Sequence, residues 1–98
     1  MFCKITQSKV NLRNVEQLEQ WIKEKWGPLI SAQPGFRRYY FVVKSDGEFA
    51  VIMLWETEEN VHSWTDNPQH QALLPELKSL LVSPVMMDIY RVIDSGQR

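Results

Sequence analysis

A single cysteine, Cys3, leaves no partner for an intramolecular disulfide and suits a reducing cytosol. Its apolar neighbours make it a buried strand residue and not a nucleophile, because thiol reactivity needs an electropositive setting. No apolar run approaches the roughly 18 residues that span a bilayer. The start, "MFCKITQS", lacks the charged end and apolar middle of a signal peptide, so a cytoplasmic location is expected. Net charge is −1 with both signs interspersed, which offers neither nucleic acid nor a membrane surface a field to follow. The chain has no H-x-H, H-E-x-x-H or C-x-x-C spacing, hence no expected metal site. It also lacks a glycine-rich phosphate loop and any Ser/Cys–His pair adjacent in sequence, although triads assemble in space. Neither repeat nor linker divides it, so residues 1–98 read as one domain.

What is present has clear periodicity. "FCKITQS" (Phe2 to Ser8) alternates as a first strand. "NVEQ" at Asn14 to Gln17 has capping-box spacing, and Val15, Leu18, Trp21, Ile22, Leu29 and Ile30 then recur at helical spacing. Gly27-Pro28 should kink or restart that helix. Asp46-Gly47 separates two β-rich runs and predicts a hairpin over Phe36 to Glu56. A short helix opened by Thr57 comes next, then a second opened by Asn67-Pro68 and running to about Val82. "VMMDIYRVI" (Val85 to Ile93) closes the chain as a strand. The order β-α-β-β-α-β predicts an α+β, ferredoxin-like split βαβ fold.

The hairpin also bears on assembly. Phe49, Val51, Met53 and Trp55 project one way and Ala50, Ile52 and Leu54 the other. In the preceding strand Tyr39, Phe41 and Val43 oppose Phe36, Tyr40 and Val42. A half-solvated antiparallel sheet should carry one polar face, and neither face is polar. Two helices cover one side only. Wetting about six large apolar residues at roughly 1.5–3 kcal/mol each would forgo an amount comparable to total domain stability, about 5–15 kcal/mol. A homodimer through the β-sheet face is expected.

The only two histidines, His62 and His70, lie in "WETEENVHSWTDNPQHQALL". On the short helix Val61 and Trp64 define the apolar side, with Asn60 on it, while His62 falls on the solvated side. On the next helix Leu73, Leu74, Leu77, Leu80 and Leu81 form a stripe with His70 near its middle, and Pro75 projects to solvent. His70 therefore points inward, as a core histidine satisfied by one hydrogen bond or as a pocket histidine suited to proton transfer. Tyr39 and Tyr40 face opposite sides of the sheet, and one of them can line a cavity under the helices. Arg91 sits beside Tyr90 near the end of the last strand.

"PGF" before a strand, a hairpin running into "WE", then a helix and "P-x-H-Q-A-L" resemble the antibiotic biosynthesis monooxygenase family over Phe2 to about Ile93. The resemblance implies two protomers pairing sheets into a dimeric α/β barrel, with a small aromatic or lipophilic ligand. For activity it implies a cofactor-independent monooxygenase that oxidises a small phenolic or quinol-type aromatic with O₂. A non-catalytic dimeric ligand-binding protein, and an isomerase of the same superfamily, are the alternatives. Asn60 and Trp64 match the family's Asn and Trp, and His70 stands where the family's oxygenases carry a tyrosine. The family's arginine near the start of the last strand has no counterpart beside Pro84, and Arg91 could substitute only from elsewhere. Leu74 replaces the axial histidine of haem-degrading members, and Gln7 their early-strand asparagine. On this resemblance His70 is the base, Asn60 and Trp64 donate to the oxyanion, and Trp55 with Tyr39 or Tyr40 forms the walls.

Overall fold

The computed structural model describes residues 1–98. Strand β1 (Phe2–Lys9) leads through a 3₁₀ turn (Leu12–Asn14) into α1 (Val15–Trp21), a π-helical turn (Ile22–Trp26) and α2 (Gly27–Ser31). The hairpin β2 (Phe36–Val43) and β3 (Glu48–Trp55) is next, then α3 (Glu58–Thr65), α4 (Pro68–Leu80) and β4 (Met86–Arg91). The sheet order is β2-β3-β1-β4 and every neighbouring pair is antiparallel. Strand β3 lies between β1 and β2, which is the ferredoxin-like arrangement expected from the element order.

Local details depart from the simple pattern. Asn14 occupies the N-cap position of α1 without a side-chain hydrogen bond, and no Asn14–Gln17 box forms. Asn11 caps the preceding turn instead, accepting from the Arg13 N–H. At Gly27-Pro28 the α-helix restarts as α2 with the proline in its first turn, yet the helical run stays continuous. The Gly27 N–H reaches back to the Ile22 carbonyl, and this widened turn accommodates the proline. Strand β2 carries a bulge between Phe36 and Arg38. The extra residue turns Phe36 onto the helix side, where it packs edge-on against Trp55 at 5.3 Å, rather than onto the face it would share with Tyr40 and Val42. At the hairpin Gly47 adopts φ +94°, which suits the Asp-Gly pair.

Registers assign the two faces. Toward the helices point Phe2, Lys4, Thr6 and Ser8 of β1, with Phe49, Val51, Met53 and Trp55 of β3 and Tyr39 and Phe41 of β2. The core joins that face to Leu18, Trp21, Ile22, Trp26 and Ile30 of the first helical run, and to Val61, Trp64 and Leu80. On the other face Tyr40, Val42, Met86 and Tyr90 are exposed around half-buried Cys3, Ile5, Ile52 and Leu54. Burial pushes the Cys3 thiol above its ordinary range, which disfavours the reactive thiolate. No helix is long and apolar enough to cross a membrane.

Gly35 ends the α2–β2 connection at φ +77°, and a methyl group there would overlap the Asn60 side-chain amide. Gly35→Ala should therefore destabilise the fold by at least about 1–3 kcal/mol, the range for strained backbone positions. Urea unfolding checks this; an unchanged midpoint would show that the turn relaxes freely.

Candidate functional site

Between the first helical run, α4 and the sheet lies a cavity of about 520 Å³, within the range of small-ligand sites. Its walls are mainly apolar, from Leu18, Trp21 and Trp26, from Phe49, Val51 and Met53, and from Leu74 and Leu77. Polar atoms enter chiefly from Lys4 and Thr6 on β1 and from the Thr65–Gln71 corner where α3 meets α4.

That corner is built by capping chemistry. Asn67 accepts from the Gln69 and His70 N–H groups, and Pro68 occupies the first turn of α4 without needing a donor partner. The tight connection brings His70 back over the end of α3. Its ring stacks on Trp64 at 4.1 Å between centroids and 19° between planes. Its Nδ1 lies 3.0 Å from the Trp64 carbonyl oxygen. A carbonyl only accepts, so Nδ1 carries the proton and the neutral ring keeps its lone pair on Nε2. His70 is 7% exposed. Burial pushes its pKa below the ordinary 6.5, and the Lys4 charge adds to that, while hydrogen bonds to the Trp64 and Thr65 backbone partly oppose it.

Lys4 is the polar residue the alternation in β1 concealed. It is 3% exposed and its Nζ donates to Thr65 Oγ1 at 2.9 Å. The Thr65 hydroxyl in turn donates to the Val61 carbonyl at 3.1 Å. Burial pushes the ammonium pKa down from its ordinary value, and the charge of Asp66 partly restores it. A sequence signal existed: Lys4 and Thr6 share a face opposite Cys3 and Ile5. Alternation alone does not say which of those faces meets the helices.

His70 and Trp64 both line the cavity. Asn60 does not: its Oδ1 accepts from the Thr57 N–H at 3.2 Å and from the Thr57 hydroxyl at 2.7 Å, while the Asn60 N–H donates to Thr57 Oγ1. This is a capping box, and it places the amide beneath Gly35. Trp55 is fully buried and its indole N–H has no partner; it backs Trp64 at 6.2 Å without reaching the cavity. Tyr39 is the helix-side tyrosine, packed edge-on against Trp26 at 5.0 Å with its hydroxyl under Gly27. Tyr40 lies on the opposite face, accepting from Arg38 at 3.0 Å. Arg91 is exposed at the end of β4, paired in register with Phe2. His62 is on the surface, 3.8 Å from Glu58. No three His, Cys, Asp or Glu side chains cluster to hold a metal ion.

Residues 1–75 match the family model for antibiotic biosynthesis monooxygenases. No curated protein matches the chain in sequence. Among solved structures, a monooxygenase from the gene ActVA-Orf6 of Streptomyces coelicolor, in complex with nanaomycin D, superposes with TM-score 0.85 at 19% identity, covering 99% of this chain and 91% of that one. SnoaB, a cofactor-independent oxygenase from Streptomyces nogalater, gives 0.80 at 14%, covering 96% and 94%. A Nitrosomonas europaea protein of unknown function, NE2512, gives 0.81 at 14%, covering 99% and 93%. At such identities the superpositions establish the shared fold.

The His70 environment makes stability depend on pH. An unfolded imidazole binds its proton near the ordinary 6.5, whereas the folded one, with its pKa lowered, stays neutral further down. Unfolding takes up a proton in that window, so stability is full above about 6.5 and falls as pH falls through it toward the lower folded value. Urea midpoints measured from pH 8 to 5 should show this slope, and His70→Gln should flatten it.

Proposed function

We propose that this chain, which belongs to the antibiotic biosynthesis monooxygenase family, is a cofactor-independent monooxygenase that oxidises a small phenolic or quinol-type aromatic with O₂ in the His70 cavity. The observation carrying this reading is the placement of His70: it lines an apolar cavity with Nδ1 3.0 Å from the Trp64 carbonyl, a contact that makes Nε2 the basic nitrogen of the neutral ring. A base whose pKa sits below neutrality is already deprotonated at working pH. Proton transfer from a bound phenol to Nε2 would leave an electron-rich anion. That anion passes electrons to O₂. For an anthrone, one oxygen atom replaces the two hydrogens of the ring methylene and the other leaves with those hydrogens as water, so the substrate supplies all four electrons that O₂ takes up.

In this reading Trp64 fixes the plane of the imidazole and presents its own ring to the substrate. Asn60 acts at one remove, by capping α3 and so placing Trp64. Trp55 and Tyr39 form the aromatic backing of the wall, whereas Tyr40 and Arg91 take no part in the chemistry. The functional unit is a homodimer in which a second copy's sheet covers Tyr40, Val42, Met86 and Tyr90. Their exposure on one continuous face of an isolated protomer supports this.

Oxygen consumption with a panel of quinols and anthrones tests the activity. His70→Ala should lower the rate about 10²-fold or more, the usual contribution of a positioned base. An unchanged rate would remove His70 from the mechanism, and ligand binding without oxygen uptake would identify a binding protein. Assembly is tested separately by sedimentation velocity: the wild type should run as a dimer and Val42→Lys as a monomer. A monomeric wild type would sink the sheet-to-sheet arrangement.

A further inference from the structure

We propose that the His70 cavity selects aromatic oxyanions, ligands whose acidic oxygen is ionised when bound, and that Lys4 is the residue that binds this oxygen. The inference rests on reading the cavity as the substrate site and adds the charge of what enters it.

Lys4 lies on the central strand β1 and lines the cavity while almost wholly buried. An ammonium has three N–H donors and no acceptor. One is spent on Thr65 Oγ1. That hydroxyl has committed its own proton to the Val61 carbonyl, so it meets Lys4 purely as a lone-pair acceptor. No ion pair of the chain includes Lys4; the five that form, Lys23–Glu19, Lys25–Glu76, Arg37–Glu56, Lys44–Glu48 and His62–Glu58, all lie on the exposed surface. Asp66 attracts the ammonium without reaching ion-pair distance and is itself exposed.

A buried cation without a carboxylate partner is among the costlier arrangements in a protein interior. The fold could have relieved it with one acidic residue on the cavity wall, yet the wall carries Lys4 and Lys78 and no Asp or Glu. Composition does not explain this, since the chain holds 12 acidic and 11 basic residues. A ligand oxyanion supplies the missing charge. It would meet Lys4 inside an apolar enclosure, where a charge-assisted hydrogen bond is strong. Lys78 adds only solvent-screened attraction, since it is exposed. The same ammonium favours the ionised form of a phenol, so His70 need not be a strong base to remove the proton.

Isothermal titration with 2-naphthoate and its neutral counterpart 2-naphthamide tests the proposal. Neither undergoes the proposed oxidation, so the outcome is independent of whether the protein consumes oxygen. The wild type should bind naphthoate at least about tenfold more tightly, the value of one hydrogen bond to a charged group. Lys4→Met, close in length and uncharged, should abolish that preference while leaving naphthamide within about twofold. It should also hold or raise the unfolding midpoint of the free protein, because a charge kept for a ligand costs stability without it. Equal affinity for the two ligands, no binding of naphthoate, or a preference surviving in Lys4→Met would overturn the proposal. A fall in midpoint of more than about 5 °C, a resolvable loss of stability for a domain of this size, would show that Lys4 is a structural prop and overturn it likewise.

Discussion

Trp64 is the residue on which helices, sheet and cavity all depend. It lies in the last turn of α3, fully buried, edge-on to Trp26 at 6.0 Å, tilted against Trp55 at 6.2 Å and stacked under His70 at 4.1 Å. Its carbonyl receives His70 Nδ1 at 3.0 Å and the Asn67 N–H at 3.2 Å. One side chain thus joins the first helical run to the sheet, and one backbone oxygen closes the turn that aims α4. Truncating a buried tryptophan costs about 3–5 kcal/mol by packing loss alone. Here the loss would also release the imidazole. Stability of the core and geometry of the site cannot be separated at this position.

The route by which Trp64 is held shows how much of the site was legible in sequence. Helical periodicity placed Val61, Trp64 and His70 inward correctly, because α3 and α4 are regular and each packs on one side. Asn60 shares the inward side, but its side chain is spent on Thr57 at the helix start. Periodicity gives a direction and says nothing of a hydrogen bond three residues back. The bulge at Arg37 and the π turn before Pro28 change registers by single residues. Each reorients its neighbours in the chain, as Phe36 shows. Lys4 was hidden for a different reason: a polar residue in an alternating strand reads as solvent-facing unless the other face is known to be the open one.

The two faces of the sheet differ in what they meet, one open and the other lining the cavity. On β1, Cys3 and Ile5 belong to the open face, whereas Lys4 and Thr6 belong to the cavity. The residues of β3, between β1 and β2 in space, behave alike: Ile52 and Leu54 outward, Val51 and Met53 inward. A change on the open face therefore reaches the site only through the backbone. The sheet can carry two apolar surfaces without conflict, provided each finds its own cover.

The cavity combines two kinds of burial that work against folding. Holding His70 neutral stabilises nothing by itself; it makes protonation unfavourable. Holding Lys4 buried without an ion pair disfavours its charged form directly, and both depressions have desolvation as their largest cause. The two groups also repel when both are charged, since Lys4 lowers the His70 pKa further. A core chosen for stability alone would put apolar residues at both positions, as it does at Met53 and Val51 beside them. In the proposed reading their joint presence is a division of roles, a cation that meets an oxyanion and a base kept neutral partly by that cation. In that same reading, the charge that relieves Lys4 arises on the ligand oxygen as its proton passes to His70.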